Sequence, residues 1–206
     1  MGARTAFATA LTAVTLISCG APPRATGTSP SAAPPRVADA APSAAPPRAA
    51  DASPSAAHND DDVMFAQRMI PHHQQAVDMA AMVPSHTSNP TLRVVAVHIS
   101  TDQRAEISML ADLLKRWGAP TAVPGPMSMT GMVDDATMNR LPSLSGAEFD
   151  TAWITAMIGH HQGAVTMAQA ELAHGHSEDA QKIARLIITA QQREISYMTD
   201  LISTPQ

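Results

Sequence analysis

Residue types able to hold a metal ion occur at two places in this chain. His72, His73 and Gln74 form one triplet, His160, His161 and Gln162 another, and a methionine stands three residues before each, Met69 and Met157. Imidazole suits copper and zinc, and a thioether selects for Cu(I). On a helix Met69 lies about one turn from His72 and His73, and Met157 about one turn from His160 and His161, so each methionine is within chelating reach of its pair. Neighbouring histidines diverge by about 100° around a helix axis, so the two members of one pair do not aim at a single ion. Pro71 and Gly159, which precede the triplets, can distort a helix locally and relax that rule.

The triplets belong to a larger duplication. Residues 62–114 align without a gap with residues 150–202, because His72 and His160, Glu106 and Glu194, and His86 and His174 are each 88 positions apart. Identical pairs include Asp62/Asp150, Met79/Met167, Gln103/Gln191 and Ile107/Ile195. A repeat supplies two samples of one design.

Each copy reads as a helical hairpin. Asn89-Pro90 marks a helix start and Gly118 with Pro120 a stop; Ser145-x-x-Glu148 has the form of a capping box, and Ser177 is followed by two acids. The spacing predicts helices near 62–86, 90–117, 147–174 and 178–203. Phe65, Met69, His72, Ala76, Met79, Val83 and His86 recur in steps of four and three, as do Leu92, Ala96, Ile99, Gln103, Glu106, Leu110, Leu113 and Trp117. Such seams face inward, and the fold class expected is all-α, a ferritin-like four-helix bundle made of two repeated hairpins. With the first turn near Ser88, His72 is expected level with Glu106, and His160 level with Glu194 in the second copy. Gln103 and Gln191 sit one turn away, with His73 and His161 flanking the layer. Groups buried in this way must satisfy one another, as a hydrogen-bond network that fixes the bundle register, or bind an ion.

Between the copies Met127, Met129 and Met132 stand among Pro, Gly and Ser. Thioethers of this kind are soft donors in a compartment where thiols are scarce, or they tuck onto the bundle. His174 and His176 form a third, smaller cluster, while His58 and His98 fall outside the pattern and are expected on the surface.

The chain ahead of the repeat is of another kind. Arg4 and an apolar stretch from Ala6 to Ile17 are too short to span a bilayer but fit a signal peptide. That stretch runs into Leu16-Ile-Ser-Cys19, which resembles a lipobox, and Cys19 is the only cysteine. Residues 1–19 therefore read as a lipoprotein signal ending at a lipidated Cys19. Residues 20–59 read as a Pro/Ala/Ser-rich tether, and 60–206 as the duplicated domain. The expected location is outside the cytoplasm, with the membrane reached only through the lipid. A balance of 13 basic against 18 acidic residues offers no basic face for nucleic acid.

Met69-Ile-Pro-His-His-Gln-Gln-Ala-Val-Asp-Met79, Gly131-Met132, Phe149-Asp150, Met157-Ile-Gly-His-His-Gln-Gly-Ala-Val-Thr-Met167 and Gln191-Gln-Arg-Glu194-Ile resemble an exported domain-of-unknown-function family with paired His-His-Gln motifs. The resemblance covers about residues 60–203. It implies a ferritin-like bundle and, for some members, copper binding through His and Met. Carried over position by position, it adds Met79, Met132 and Met167 to His72, His73, His160, His161, Met69 and Met157 as metal residues.

The sequence thus points to a copper-binding exported lipoprotein, with Cu(I) favoured and Cu(II) or Zn(II) as alternatives. It reads as a binding protein rather than an enzyme, with Glu106 and Glu194 beside the histidines. Two rivals stand beside it. One is a metal-free structural or partner-binding module; the other is a dinuclear carboxylate oxidase. The oxidase needs Glu-x-x-His on two helices, and only Glu171-x-x-His174 fits.

Overall fold

Five α-helices account for most of the described chain, which comprises residues 57–122 and 129–203 of a computed structural model. They are α1 (Asp60–His86), α2 (Pro90–Trp117), α3 (Asp135–Arg140), α4 (Gly146–His174) and α5 (Glu178–Ser203), with a 3-10 turn over Leu141–Ser143. The expected signal peptide, Cys19, nearly all of the tether and Met127 lie outside the described residues. Among the described residues there is no strand, and no helix is long and apolar enough to cross a membrane.

Local chemistry sets most helix ends. The Asn89 side chain accepts from the amides of Thr91 and Leu92, which starts α2, and Gly118 ends it at φ 68°, where a glycine pays no steric cost. The Ser177 hydroxyl accepts from the Ala180 amide at 3.3 Å ahead of α5. Two starts differ from the sequence reading. α1 begins two residues early, because Asn59 and Asp62 form a capping box with bonds of 3.0 and 2.6 Å. At α4 the expected Ser145–Glu148 box does not form; Gly146 sits at φ 57°, a backbone turn that does not array the first-turn amides around the Ser145 hydroxyl. The short α3, capped by Asp134, is an element the spacing did not predict.

The helices pair as α1 with α2 and α4 with α5, and the hairpins then pack α1 on α4 and α2 on α5. Two carboxylates related by the repeat tie each hairpin to the turn of the other. Asp62 of α1 accepts from the amides of Ser177 at 2.9 Å and His176 at 3.1 Å, while Asp150 of α4 accepts from the Asn89 amide side chain at 3.0 Å.

The core is divided in two. One cluster gathers Met79, Val83, Leu92, Ile99, Phe149, Trp153, Met157 and Met198; the other gathers Phe65, Met69, Leu110, Leu113, Ala164, Ile183 and Ile187. Each large apolar side chain buried in this way contributes about 1.5–3 kcal/mol. Between the clusters, at the midpoint of all four long helices, lie His72, His73, Gln103, Glu106, His160, His161 and Gln191, all buried, with Glu194 partly so. The polar layer expected from the seams is present, and the apolar clusters above and below it keep it from solvent.

Candidate metal centre

His72 and His160 come from opposite hairpins and meet at the α1–α4 interface, with ring centroids 3.8 Å apart. The Nε2–H of His160 donates to the carbonyl of His72 at 2.9 Å, and the Nε2–H of His72 donates to the carbonyl of Thr130 at 3.2 Å. A carbonyl cannot donate, so both rings carry their proton on Nε2 and, when neutral, leave Nδ1 with a bare lone pair.

The second histidine of each pair turns the other way, into its own hairpin. His73 Nε2 lies 2.8 Å from Glu106 Oε2 on α2, and His161 Nε2 lies 2.7 Å from Glu194 Oε2 on α5. This corrects the register expected above, which set His72 and His160 opposite the glutamates. Residues 72 and 73 differ by only about 1.5 Å in height but by 100° in direction, so direction decides the partner. α1 has two neighbours and buries two stripes: His72 lies on the one facing α4, His73 on the one facing α2. Within each pair the ring centroids are 6.3 and 6.1 Å apart, the divergence that adjacent helical positions require.

Burial governs the charges. It lowers His72 to about 3, with the charges of His73 and His161 adding to the effect, and lowers His73 to about 3. It lowers His160 to about 2, with His72 the next cause. Glu106 is pushed up to about 7 by burial and by the nearby charges of Glu194 and Asp102. His72, His73 and His160 are therefore neutral near pH 7, as metal ligation demands. An ionised Glu106 or Glu194 accepting Nε2–H leaves Nδ1 bare on His73 and His161 as well, the carboxylate–histidine arrangement that commonly orients a metal ligand.

The Nδ1 atoms of all four histidines, and both amide atoms of Gln103 and Gln191, are buried without a hydrogen-bond partner. Each such atom costs about 1–3 kcal/mol, which suits a layer completed by a ligand. Among the described residues no three His, Cys, Asp or Glu side chains come close enough together to hold an ion. Imidazole nitrogen and thioether sulfur are donors that suit a soft ion such as Cu(I), whereas Zn(II) takes four ligands.

The methionines are placed unevenly. Met69 and Met157, one turn before the histidines, are fully buried, as is Met79. Met167, the repeat partner of Met79, is only partly buried and lines a small surface pocket with Met64, Glu171 and His174. Met132 is half-buried in the linker, beside a groove lined by Pro71, Gln75 and Met138. His58 and His98 are exposed, as expected.

Sequence reasoning missed how the linker is held. The Gln75 side chain clamps Val133 at both ends, donating to its carbonyl at 2.9 Å and accepting from its amide at 2.8 Å. At the equivalent place in the second copy stands Gly163, where a Cβ would collide with the Thr130 carbonyl and with Gly131. Gly131 itself sits at φ 82°. The signal available was the mismatch of Gln75 with Gly163 inside an otherwise close repeat.

Known proteins match this description. A DUF305 protein from Streptomyces coelicolor, described as secreted, is 32% identical with a TM-score of 0.66, over 69% of this chain and 92% of that one. A DUF305 fragment from Deinococcus radiodurans is 31% identical with a TM-score of 0.65, over 70% and 97%. CopM in its Cu(I)-bound form is 30% identical with a TM-score of 0.59, over 69% and 95%. No curated protein matches the sequence. The family model for the domain of unknown function DUF305 matches residues 62–202, the span that runs from the first repeat to the end of the second, and the chain belongs to that family.

Proposed function

We propose that this chain is an extracytoplasmic copper-binding lipoprotein that buffers or hands on copper, with Cu(I) preferred. The observation that carries the reading is the mid-bundle layer, where four buried histidines keep Nε2 engaged and Nδ1 without a partner. His72 and His160, with Nε2–H committed to carbonyls, are the principal ligands, and His73 and His161 extend the site. Met69 and Met157, one helical turn away, supply the soft donors that favour Cu(I) over Cu(II) or Zn(II). Glu106 and Glu194 orient His73 and His161 rather than ligating directly. Met132, Met79 and Met167 are outer donors. Copper supplies no reaction here; the chain's residues bind and orient.

The resemblance to CopM, solved with Cu(I), Cu(II) and Ag, supports this choice of ion, and the Streptomyces relative described as secreted supports export. The lipid anchor at Cys19 and the tether complete the proposal and rest on the sequence alone. The oxidase reading is disfavoured by Glu171, which lies about 16 Å along α4 from His160 and packs beside Asp62 rather than in the layer.

The test is anaerobic competition of the purified protein against a Cu(I) chelator, with bound copper counted in the native protein, His72→Ala, His160→Ala and the double variant. Tight binding that falls in each single variant and is lost in the double is the expected result. Absence of tight copper binding in the native protein overturns the reading, and iron binding with oxygen consumption would restore the oxidase. Mass spectrometry of the mature N-terminus tests the anchor, which an unmodified Cys19 thiol would refute.

A further inference from the structure

The four layer histidines are fully buried, so an ion can reach them only past something else. Two faces of the bundle are candidates. Over α1 and α4 the linker closes the way: the Thr130 carbonyl caps His72, Gly131 packs into the notch at Gly163, and Gln75 clamps Val133.

The face between α2 and α5 is different. A groove of about 430 Å³ opens there, with Val94, His98 and Asp102 on one wall and Ala190, Glu194 and Tyr197 on the other. Glu194 is the residue that belongs to both regions. It lines the groove, its side chain keeps 19% of its surface exposed, and it bonds His161 at 2.7 Å. Behind it the rings run from His161 to His160, 6.1 Å between centroids, and on to His72, 3.8 Å further. The same two helices bear Gln103 and Gln191, each buried with neither amide atom partnered. Polar atoms without partners suit a path that a partly hydrated cation uses in transit. Asp102 and Glu194 face one guanidinium, Arg193, in this groove, and a cleft with a surplus of negative charge concentrates cations at its mouth.

We propose that the α2–α5 groove is the entry port of the histidine layer, with the Glu194 carboxylate drawing the incoming cation into its mouth and His161 the first imidazole behind it. The inference rests on the copper-binding reading for its cargo but on the groove itself for its route. Two variants of the port move the path in opposite senses without touching the layer. Ala190→Trp fills the groove, and Tyr197→Ala widens it.

The experiment has two readouts. The first uses metal-free protein, in which carbethoxylation of His161 by diethyl pyrocarbonate is followed over time by peptide mass spectrometry. The second is the rate of anaerobic Cu(I) uptake in a stopped-flow instrument, with thermal midpoints recorded to confirm folding. Ala190→Trp is expected to slow both processes by about tenfold and Tyr197→Ala to accelerate both, as for a gated site, while the final copper content stays that of the native protein. Gln75→Ala, which frees the linker, is expected to leave both rates unchanged. If neither groove variant moves the rates, or if only Gln75→Ala does, the port is refuted and the linker face becomes the door. Failure to bind copper would end the copper-binding reading, yet the carbethoxylation rates would still decide whether the groove opens onto the layer.

Discussion

His72 and His160, equivalent residues of the two repeats, meet with ring centroids 3.8 Å apart and planes tilted by 36° at the midpoint of the α1–α4 interface. Removing the His160 ring leaves a cavity and takes away the Nε2–H donated to the His72 carbonyl, but it also removes one buried Nδ1 that had no partner. These opposing terms leave a net cost of about 1–3 kcal/mol for His160→Ala in the metal-free protein. Urea titration measures it. His98→Ala, on an exposed site, is expected to stay within about 0.5 kcal/mol of the native protein.

Bound copper stabilises only the folded state. With free Cu(I) at about one hundred times its Kd, the native protein is expected to gain about 2.7 kcal/mol. The His72→Ala/His160→Ala double variant gains nothing. Calorimetric melting with and without Cu(I) reads the difference, and an equal gain in both proteins would place the ion elsewhere.

Gly159 and Gly163 lie one turn apart on α4 and should respond oppositely to alanine. Nothing lies within 4 Å of a Cβ at Gly159, whereas a Cβ at Gly163 collides with the Thr130 carbonyl and Gly131. Gly159→Ala is therefore expected to stabilise by about 0.5–1 kcal/mol through helix propensity. Gly163→Ala should lift the linker and raise its rate of proteolytic cleavage around residues 129–133.

Glu171 carries the clearest pH signature. Burial, with the contact and charge of Asp62, pushes its carboxyl from an ordinary 4.5 up to about 8, so the folded chain holds a proton that the unfolded chain releases. Between those values the native state binds more protons than the unfolded one, and stability falls as pH rises. Glu171→Gln keeps the neutral form at every pH. Its melting temperature is expected to match the native protein near pH 5 and exceed it near pH 8.5; parallel curves across that range would show that Glu171 is ionised in the fold.

Asp62 supports two helix starts at once, capping α1 with Asn59 and receiving the amides of His176 and Ser177. Asp150 makes one comparable bond, to Asn89. Asp62→Ala is expected to cost about 2–3 kcal/mol and Asp150→Ala about 1 kcal/mol, a ranking that equilibrium unfolding checks.

The helices were legible because their signals are local: Asn89-Pro90, Gly118 and Ser177 mark ends by chemistry confined to a few residues, and the seams repeat every turn. The polar layer was legible for the same reason, since His72, Gln103, Glu106 and their repeat partners fall on those seams. The partner of each histidine was not. A single seam per helix assigns His72 to Glu106, but α1 and α4 each touch two neighbours, and the second buried stripe claims His73 and His161. Linker docking was invisible because it runs through backbone atoms, the Thr130 carbonyl and the close approach of Gly131 to Gly163, which side-chain patterns do not report. Asp62 and Asp150 were visible as an identical pair without a shared role, because the bonds they have in common cross to the other hairpin, to His176 and Ser177 from Asp62 and to Asn89 from Asp150.

Two separate hairpins associating as a symmetric dimer would be obliged to treat their central histidines alike. Joining them in one chain lifts that obligation: the Thr130 carbonyl answers His72, whereas His160 is answered by its twin's own backbone. A movement of residues 129–133 therefore perturbs one imidazole directly and the other only at second hand. Within one chain, two equivalent half-sites thus become a leader and a follower, addressable by a single segment of the same polypeptide.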